Sequence, residues 1–340
     1  MRKLLNTIYI TDADVYLSLN GENIVCKKND DTILRIPFDN VENLVCFNYQ
    51  GCSPALMGKC VEKNIPINFL SPQGKFLAKV CGETKGNVFL RVAQIDTIRE
   101  HSINLIRNTM LSKFSNSRKV IKRSIHDNPS LKENTDIIKA LDTIGDSIEK
   151  IRSVDDPEII LGIEGNCAER YFSTFKYMIK GNTELTNFSR RTKRPPLDPV
   201  NAMLSYIYTL LTCECASALE TVGLDSYIGF YHKLRSGRSS LACDLVEELR
   251  CIAERFVITM FNLKIVNDKD FTKEISGAVY LNDSGRKKVL TRWQEKKRTT
   301  IVHPYLNQKI PYGLLPYVQS NLLAKYMRGD IEEYPPFLLK

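Results

Sequence analysis

Glu164 occupies a position where an apolar side chain would be expected. When the segment IILGIEGNCAERYF is wound as a helix at about 100° per residue, Ile160, Cys167 and Tyr171 share one face. Glu164 lies in the middle of that face. A buried carboxylate is costly unless a positive group lies beside it. The sequence therefore predicts that Glu164 faces a cation, which is either a metal ion or, in the plainer interpretation, an arginine in a buried salt bridge.

A histidine and three carboxylates lie close together further along the chain. His232 precedes a basic turn, and the helix predicted after that turn carries Asp244, Glu247 and Glu248 beside its apolar stripe. Each feature also has a plain interpretation. The histidine alone would be a half-buried imidazole with an ordinary hydrogen-bond partner. The carboxylates alone would be a solvated face paired with nearby arginines.

A bound divalent cation would explain Glu164 and this second cluster together. Carboxylates with one imidazole, and without thiolates, suit Mg²⁺ or Mn²⁺. Such a cation keeps open positions that phosphate oxygens can occupy. The formal net charge of the chain is +9, and no P-loop motif that would cradle a nucleotide is present. These features favour chemistry on a phosphodiester of a nucleic acid.

Two basic regions are candidates for contacts with phosphates. The segment SRRTKR and the turn after His232 supply six candidate DNA-binding residues, namely Arg190, Arg191, Lys193, Arg194, Arg235 and Arg238. A second basic region, Arg286–Arg298, follows late in the chain. The plain interpretation of each region is a solvated surface. Phosphate contacts are favoured if a site for phosphate chemistry lies between them.

The elements that position these residues change in character along the chain. The first ninety or so residues contain short runs rich in Val, Ile, Phe and Tyr, separated by turn residues, and the last predicted strand is NVFLRVA at 87–93. From about residue 95 onward, long segments of helical period follow one another. We therefore predict an α+β fold with a small N-terminal β-sandwich domain over 1–93 and a larger all-helical catalytic domain over 94–340.

Composition excludes several classes of protein. The ten cysteines include no C-x-x-C pair and most lie among apolar neighbours, which predicts reduced buried thiols rather than a zinc site. No run of apolar residues approaches the roughly 18–20 needed to span a bilayer, so the sequence predicts a cytoplasmic protein without a membrane segment.

Three segments in series resemble one known family. LGIEGNCAERYF, RRTKRPPLDPVNAMLSYIYTLL and GLDSYIGFYHKLRSGRSSLACDLVEELR resemble the CRISPR-associated spacer-acquisition integrases, the universal adaptation nucleases of CRISPR systems. The order of the segments, their spacing and the two-part organisation agree with that family, so the likeness covers nearly the whole chain. RPPLDPVNAML and GRSSLACDLVEELR are especially similar to the variant that accompanies type I-C systems.

The resemblance implies a metal-dependent DNA endonuclease and integrase. Such proteins insert short foreign DNA fragments into the CRISPR array, through attack of a 3′-hydroxyl on a phosphodiester at the edge of a repeat. By motif position the ligands of Mg²⁺ or Mn²⁺ would be Glu164, His232 and Glu247. Many family members carry aspartate at the third position, where this chain has glutamate. Asp244, one turn earlier, is therefore the competing candidate.

The resemblance also implies partners. Double-stranded and branched DNA would be bound, and the β domain would serve dimerisation and contacts with the DNA backbone. Two homodimers would flank a dimer of the small ferredoxin-like second adaptation protein. The C-terminal YPPFLLK is either a docking tail for that partner or disordered.

Two other classes of function stay open on the residues alone. One is a divalent-metal phosphodiesterase that acts on nucleic acid without integration. The other is a DNA-binding scaffold without catalysis, in which Glu164 is only salt-bridged.

Overall fold

The N-terminal part of the protein is built from short strands. The structure is a computed structural model that describes residues 6–72, 74–80, 82, 88–181 and 184–339. Within these residues the N-terminal elements are β1 (Thr7–Ile10), β2 (Tyr16–Asn20), β3 (Asn23–Lys28), β4 (Asp31–Pro37), β5 (Asn43–Cys46), helix α1 (Pro54–Glu62), β6 (Ile67–Leu70) and β7 (Phe76–Val80).

These strands form two sheets that share one core. The first sheet has the order β1-β5-β6-β7, in which the first two pairings are parallel and the last is antiparallel. The second is the antiparallel meander β2-β3-β4. Leu17 and Ile24 from the second sheet pack with Leu44 and Ile67 from the first, and all four are fully buried. Burial of one apolar face of each sheet accounts for this two-layer arrangement.

The rest of the chain is mostly helical. Its helices are α2 (Val88–Asp127), α3 (Thr135–Ile151), α4 (Pro157–Ser173), α5 (Phe175–Met178), α6 (Pro199–Thr221), α7 (Ser240–Asn262), α8 (Asp283–Arg298) and α9 (Leu315–Met327). Two short antiparallel ribbons interrupt them, β8 (Phe271–Lys273) with β9 (Val279–Leu281), and β10 (Thr300–Val302) with β11 (Lys309–Pro311). The predicted α+β fold is confirmed, although the C-terminal part is not all-helical because of these ribbons.

Helix α2 begins earlier than predicted. The strand expected at 87–93 is wrong over its described residues, since α2 starts at Val88 and continues with a kink at His101. Leu90 and Gln94, four residues apart, face the interior, whereas Phe89 is 85% exposed. A short apolar run is ambiguous between strand and helix, and here the i,i+4 burial shows the helical period. The helix therefore crosses the predicted domain boundary at 93/94.

Helix α6 is the central apolar helix of the C-terminal part. Among the described residues it is the one helix long and apolar enough to cross a membrane by length and composition alone, but 67% of that segment is buried inside the protein. It packs against α7 and α9 in the main core, which explains its apolar composition. The cysteines of the described residues, Cys26, Cys46, Cys52, Cys60, Cys167, Cys213, Cys215, Cys243 and Cys251, are free thiols.

The C-terminal tail folds back onto the helical core. Tyr334 is 2% exposed and Phe337 is fully buried. The side-chain nitrogen of Asn116 on α2 donates a 2.9 Å hydrogen bond to the Phe337 carbonyl. The side-chain oxygen of the same residue accepts a 2.8 Å hydrogen bond from the Leu339 N–H. Over its described residues the tail is therefore an ordered part of the protein, contrary to the disordered alternative.

Candidate metal and phosphate site

Three helices bring one cation and two carboxylates together. Lys113 on α2 places its Nζ 2.5 Å from Glu164 Oε1 on α4 and 2.6 Å from Glu247 Oε2 on α7. The side chains of Glu164 and Glu247 are 20% and 6% exposed. The positive group beside Glu164 in this structure is thus a lysine, not the arginine that the plainer interpretation predicted.

Glu247 has a second basic partner on its own helix. Arg250 Nη1 donates to both carboxylate oxygens of Glu247, at 2.8 and 3.0 Å. Burial by itself would raise the pKa of Glu247, but Arg250, Lys113 and His232 together lower it well below its usual value. The Glu247 carboxylate therefore stays ionised and can bind a cation at neutral pH.

Asp244 holds the loop that carries His232. Its Oδ2 accepts hydrogen bonds from the backbone N–H groups of Phe230 (2.7 Å) and Tyr231 (3.1 Å). Its Oδ1 lies 2.9 Å from the backbone nitrogen of His232 and 2.6 Å from the Nδ1 of the same residue. Because Nδ1 is held by Asp244, Nε2 is the ring nitrogen that is left for another partner. That Nε2 lies 3.9 Å from Glu247 Oε1.

The close contact between this loop and α7 depends on Gly229. A Cβ atom at Gly229 would lie 2.6 Å from Asp244 Oδ2 and 2.8 Å from the backbone carbonyl carbon of Ser240. The carbonyl of Ser226, at the base of the loop, accepts from the Leu241 N–H at 3.0 Å, one of the first amides of α7. These contacts fix the loop against the helix N-terminus, and they aim His232 toward Glu247.

Gln94 ties the base of the same loop to α2. Its side-chain amide donates to the carbonyls of Asp225 and Ile228, each at 2.9 Å, and its oxygen accepts from the Asp225 N–H at 2.9 Å. Gln94 is fully buried, so all three hydrogen bonds are shielded from water. The first turns of α2 thus help to position the loop that carries His232.

Glu248 points away from the other carboxylates of α7. It is 1% exposed, accepts a 2.6 Å hydrogen bond from the Phe337 N–H, and is also bonded by the Tyr334 hydroxyl. Burial raises the pKa of Glu248 to about 7, although these hydrogen bonds and one from Gln319 oppose the rise. The carboxylates predicted beside the apolar stripe of α7 therefore have different functions. Glu247 shares Lys113 with Glu164, and Glu248 anchors the tail.

The carboxylate pair opens into a cavity of about 470 Å³. Its lining includes Glu164 and Glu247 together with five basic residues, Lys113, Arg190, Arg191, Lys193 and Arg250. Arg190 and Lys193 are exposed, so both can reach a phosphate. Although Lys193 is exposed overall, partial desolvation of its ammonium and the nearby positive charges of Arg250 and Arg191 lower its pKa, while Glu247 opposes this shift.

The remaining predicted DNA-binding residues are Arg191, Arg194, Arg235 and Arg238, and they are placed differently from one another. Arg191 lines the cavity, but its guanidinium donates to Asn201 Oδ1 at 2.7 Å and Ser205 Oγ at 3.1 Å, which binds the loop to α6. Arg194 is exposed in the segment before α6. Arg235 and Arg238, both within the described residues, lie in the loop after His232 and outside the cavity lining.

The second basic region is largely neutralised within the protein. Lys288 pairs with Asp270 and Lys297 pairs with Glu214, each at 2.8 Å. Arg286 is buried and pairs with Asp283. These charges serve internal contacts, so this region is less suited to phosphates than the residues at the cavity.

The donor set fits a hard divalent cation. No three His, Cys, Asp or Glu side chains of the described residues already form a metal-binding group, because the Lys113 ammonium lies between Glu164 and Glu247. However, the two carboxylates surround a position that already holds a cation. The Nε2 of His232 lies 3.9 Å from Glu247 Oε1, one of these two carboxylates. Two carboxylate oxygens with one imidazole suit Mg²⁺ or Mn²⁺.

Sequence reasoning missed the role of Lys113. It lies 51 residues before Glu164 along the chain, and no local pattern marks it. Arg250 is one of the nearby arginines that the plain interpretation pairs with a solvated acidic face, but in the structure its side chain is only 15% exposed and bonds to both oxygens of Glu247. Its position three residues after Glu247 was the available signal, since i,i+3 pairs lie together on a helix.

Comparison with known proteins gives consistent results. The family model described as "CRISPR associated protein Cas1" matches residues 8–295. The chain is 38% identical to a CRISPR-associated endonuclease Cas1 of Chlorobaculum tepidum, over 99% of each chain. Its fold is similar to that of a casposase bound to an integration product, with a TM-score of 0.84 and 20% identity over 97% of this chain and 93% of that one. It is also similar to a chain of a Cas6-RT-Cas1–Cas2 complex, with a TM-score of 0.81 and 19% identity over 100% of this chain and 36% of that one.

Proposed function

The chain belongs to the Cas1 family of CRISPR-associated proteins, and we propose that it is a divalent-metal-dependent DNA endonuclease and integrase of CRISPR spacer acquisition. One observation carries the proposal. Glu164 and Glu247 share one cation position at the cavity, and His232 Nε2 lies 3.9 Å from Glu247. Its full-length relatives are named endonucleases, which supports a nuclease.

Each residue of the site has a distinct role in this proposal. Glu164, Glu247 and His232 Nε2 hold Mg²⁺ or Mn²⁺, and Asp244 is a positioning residue that orients His232. A carboxylate that fixes a ligand histidine in this way is a common feature of metal sites. This assigns the third ligand position to Glu247 rather than to Asp244, whose oxygens are already satisfied by four N–H contacts.

The reaction would be a transesterification. When bound, the cation polarises the scissile phosphate and stabilises charge on the attacking and leaving oxygens. A 3′-hydroxyl of the incoming DNA attacks phosphorus, the bond to the 3′-oxygen of the repeat strand breaks, and that oxygen takes up a proton. Because one phosphodiester replaces another, the step needs no energy source. Water in place of the hydroxyl gives hydrolysis, and the reverse attack resolves branched DNA.

The basic residues at the cavity would bind the DNA backbone. Arg190 and Lys193 are exposed and line the same cavity as the two carboxylates, so they can hold phosphates on either side of the reacting one. Arg194, Arg235 and Arg238 would extend this surface along the DNA. Arg191 would act mainly by holding the SRRTKR segment on α6.

We also propose the partners that the family resemblance implies. These are a homodimer formed through the β domain, and the small ferredoxin-like second adaptation protein. The similar fold of a chain in a Cas1–Cas2 complex supports the second partner, and the casposase bound to an integration product supports integration. The segments RPPLDPVNAML and GRSSLACDLVEELR support assignment to the type I-C variant.

One observation favours the scaffold alternative. Lys113 already satisfies Glu164 and Glu247, as would be expected if the carboxylates were purely structural. In that case a chelator would leave DNA binding unchanged, and Glu164→Ala would lower stability without affecting any reaction.

The deciding experiment is strand transfer on a branched DNA that mimics a half-integrated fragment. Wild type, Glu164→Ala and His232→Ala are compared with Mg²⁺, with Mn²⁺ and with EDTA, after circular dichroism has shown that each variant folds. We expect joining that requires the metal and is lost in both variants. Joining that survives Glu164→Ala, or that is unaffected by EDTA, would contradict the proposed site. Metal-dependent RNA cleavage without strand transfer would favour the general phosphodiesterase.

A further inference from the structure

Lys113 occupies the position in which the proposed cation would bind. Its side chain is 12% exposed, and its Nζ lies 2.5 Å from Glu164 Oε1 and 2.6 Å from Glu247 Oε2. A divalent cation bound by the same two oxygens would lie about 2.0–2.1 Å from each. The ammonium and the cation would therefore overlap, and both cannot be bound at once.

The other cations at the site do not conflict in this way. Of the two proposed ligands, Arg250 bonds to Glu247 through Nη1, and it also lies 3.9 Å from Glu254 Oε1 one turn later on the same helix; within the described structure it forms no ion pair with Glu164. Arg190 and Lys193 are exposed cavity residues, and no ion pair with Glu164 or Glu247 is formed by either within the described structure. Lys113 is thus the cation that bridges the two proposed ligands.

Lys113 also has room to move. Its ammonium is carried on a flexible stem of four carbons, and Lys113 itself lines the cavity of about 470 Å³. Rotation of the stem would bring the ammonium toward the cavity and its solvent without any shift of α2. The backbone around Lys113 can stay in place, because Ser112 and Asn116 on the same helix hold the C-terminal tail.

We propose that Lys113 is an internal counter-ion that the divalent cation must displace, so that Lys113 sets the cation affinity of the site. This inference rests on the proposed function. Without a metal, Lys113 bridges the two carboxylates and holds them close together despite their mutual repulsion. Its removal leaves two adjacent negative charges without their shared counter-ion. A divalent cation therefore binds more tightly to this site than to the site that Lys113 already neutralises.

The test is Mn²⁺ binding in the absence of DNA, measured from the electron paramagnetic resonance signal of free Mn²⁺. Wild type is compared with Lys113→Met, which removes the charge and keeps the apolar stem. Lys122→Met is the matched control, since Lys122 is an exposed lysine of the same helix. We expect Lys113→Met to tighten Mn²⁺ binding about tenfold or more, whereas Lys122→Met leaves the affinity unchanged. Tenfold corresponds to about 1.4 kcal/mol.

The outcomes separate this inference from the proposed function. If wild type binds Mn²⁺ and Lys113→Met binds it equally or more weakly, Lys113 is a supporting residue and the inference is wrong. If neither wild type nor Lys113→Met binds Mn²⁺, the metal-dependent function itself fails. Lys113→Gln, which is neutral but can donate to a carboxylate, provides a second variant should the methionine destabilise the fold. It is expected to change the affinity in the same direction.

Discussion

The arrangement around Asp244 leads to a quantitative prediction for Asp244→Asn. The carboxylate is fully buried and lies within hydrogen-bonding distance of four N–H donors of one loop. Asparagine keeps one acceptor oxygen and replaces the other with an NH₂ group, which donates. About half of these contacts then lose their acceptor.

The size of the effect follows from the contacts that are lost. A hydrogen bond to a charged group contributes about 1.5–3 kcal/mol. Two such losses lower the free energy of unfolding by about 3–6 kcal/mol. The loop cannot easily move away, because Gly229 packs directly against Asp244 and Ser240. His232 also loses the carboxylate that orients its ring, which should weaken Mn²⁺ binding by about 10–100-fold.

Two measurements check this prediction. Urea unfolding in EDTA gives the change in stability, and titration with Mn²⁺ gives the affinity. Asp225→Asn is the matched control, since Asp225 lies in the same loop and its side chain accepts the local hydrogen bond from the Tyr227 N–H, which asparagine can also accept. If Asp244→Asn is as stable as wild type, the conclusion that Asp244 holds the His232 loop is refuted. Unchanged stability of this variant together with complete loss of Mn²⁺ binding would make Asp244 a ligand instead.

Three further predictions concern the tail, the loop and the DNA surface. Glu248→Ala should lower the free energy of unfolding by about 3 kcal/mol, because buried donors lose their acceptor, and should speed hydrogen exchange of the Phe337 amide while Mn²⁺ affinity is unchanged. Gly229→Ala should lower the free energy of unfolding by about 1–3 kcal/mol through overpacking, as measured by urea unfolding. Arg190→Ala combined with Lys193→Ala should weaken DNA binding and reduce the slope of log affinity against log salt by about 2.

Controls within the chain sharpen these expectations. Gly165 has open space where a Cβ would lie, so Gly165→Ala should stabilise α4 by about 0.5–1 kcal/mol; equal effects at Gly165 and Gly229 would contradict the packing argument. Lys122→Ala should leave the salt dependence of DNA binding unchanged. Slow exchange of the Phe337 amide in Glu248→Ala would show that the tail is held by other contacts.

The elements that carry the site could be predicted because their signals are local. Helix α7 lies where a helix is predicted after the basic turn, and α4 begins at Pro157 after the capping residue Asp156, whose side chain accepts from the Glu158 N–H at 2.8 Å. The strand expected at 87–93 failed because a short apolar run has no periodicity of its own. Burial of Gln94 against the loop near Ile228 depends on tertiary packing.

The chemistry of individual carboxylates was harder to predict from local pattern. The position of Glu164 on an apolar helix face correctly predicted that it has a positive partner. That partner lies on α2, which packs against α4 and α7 only in the folded protein. Glu247 and Glu248 are adjacent, so about 100° of helix rotation separates their directions. Glu247 contacts Lys113, whereas Glu248 contacts the tail, which follows nearly ninety residues later in the chain.

The position of the metal can be measured from the anomalous scattering of crystals soaked in Mn²⁺. We expect a peak at coordination distance from a carboxylate oxygen of Glu164, a carboxylate oxygen of Glu247 and Nε2 of His232, with the Lys113 ammonium moved out of that position. A protein without a peak there, with Lys113 still bridging the two glutamates at saturating Mn²⁺, would contradict the proposed metal site.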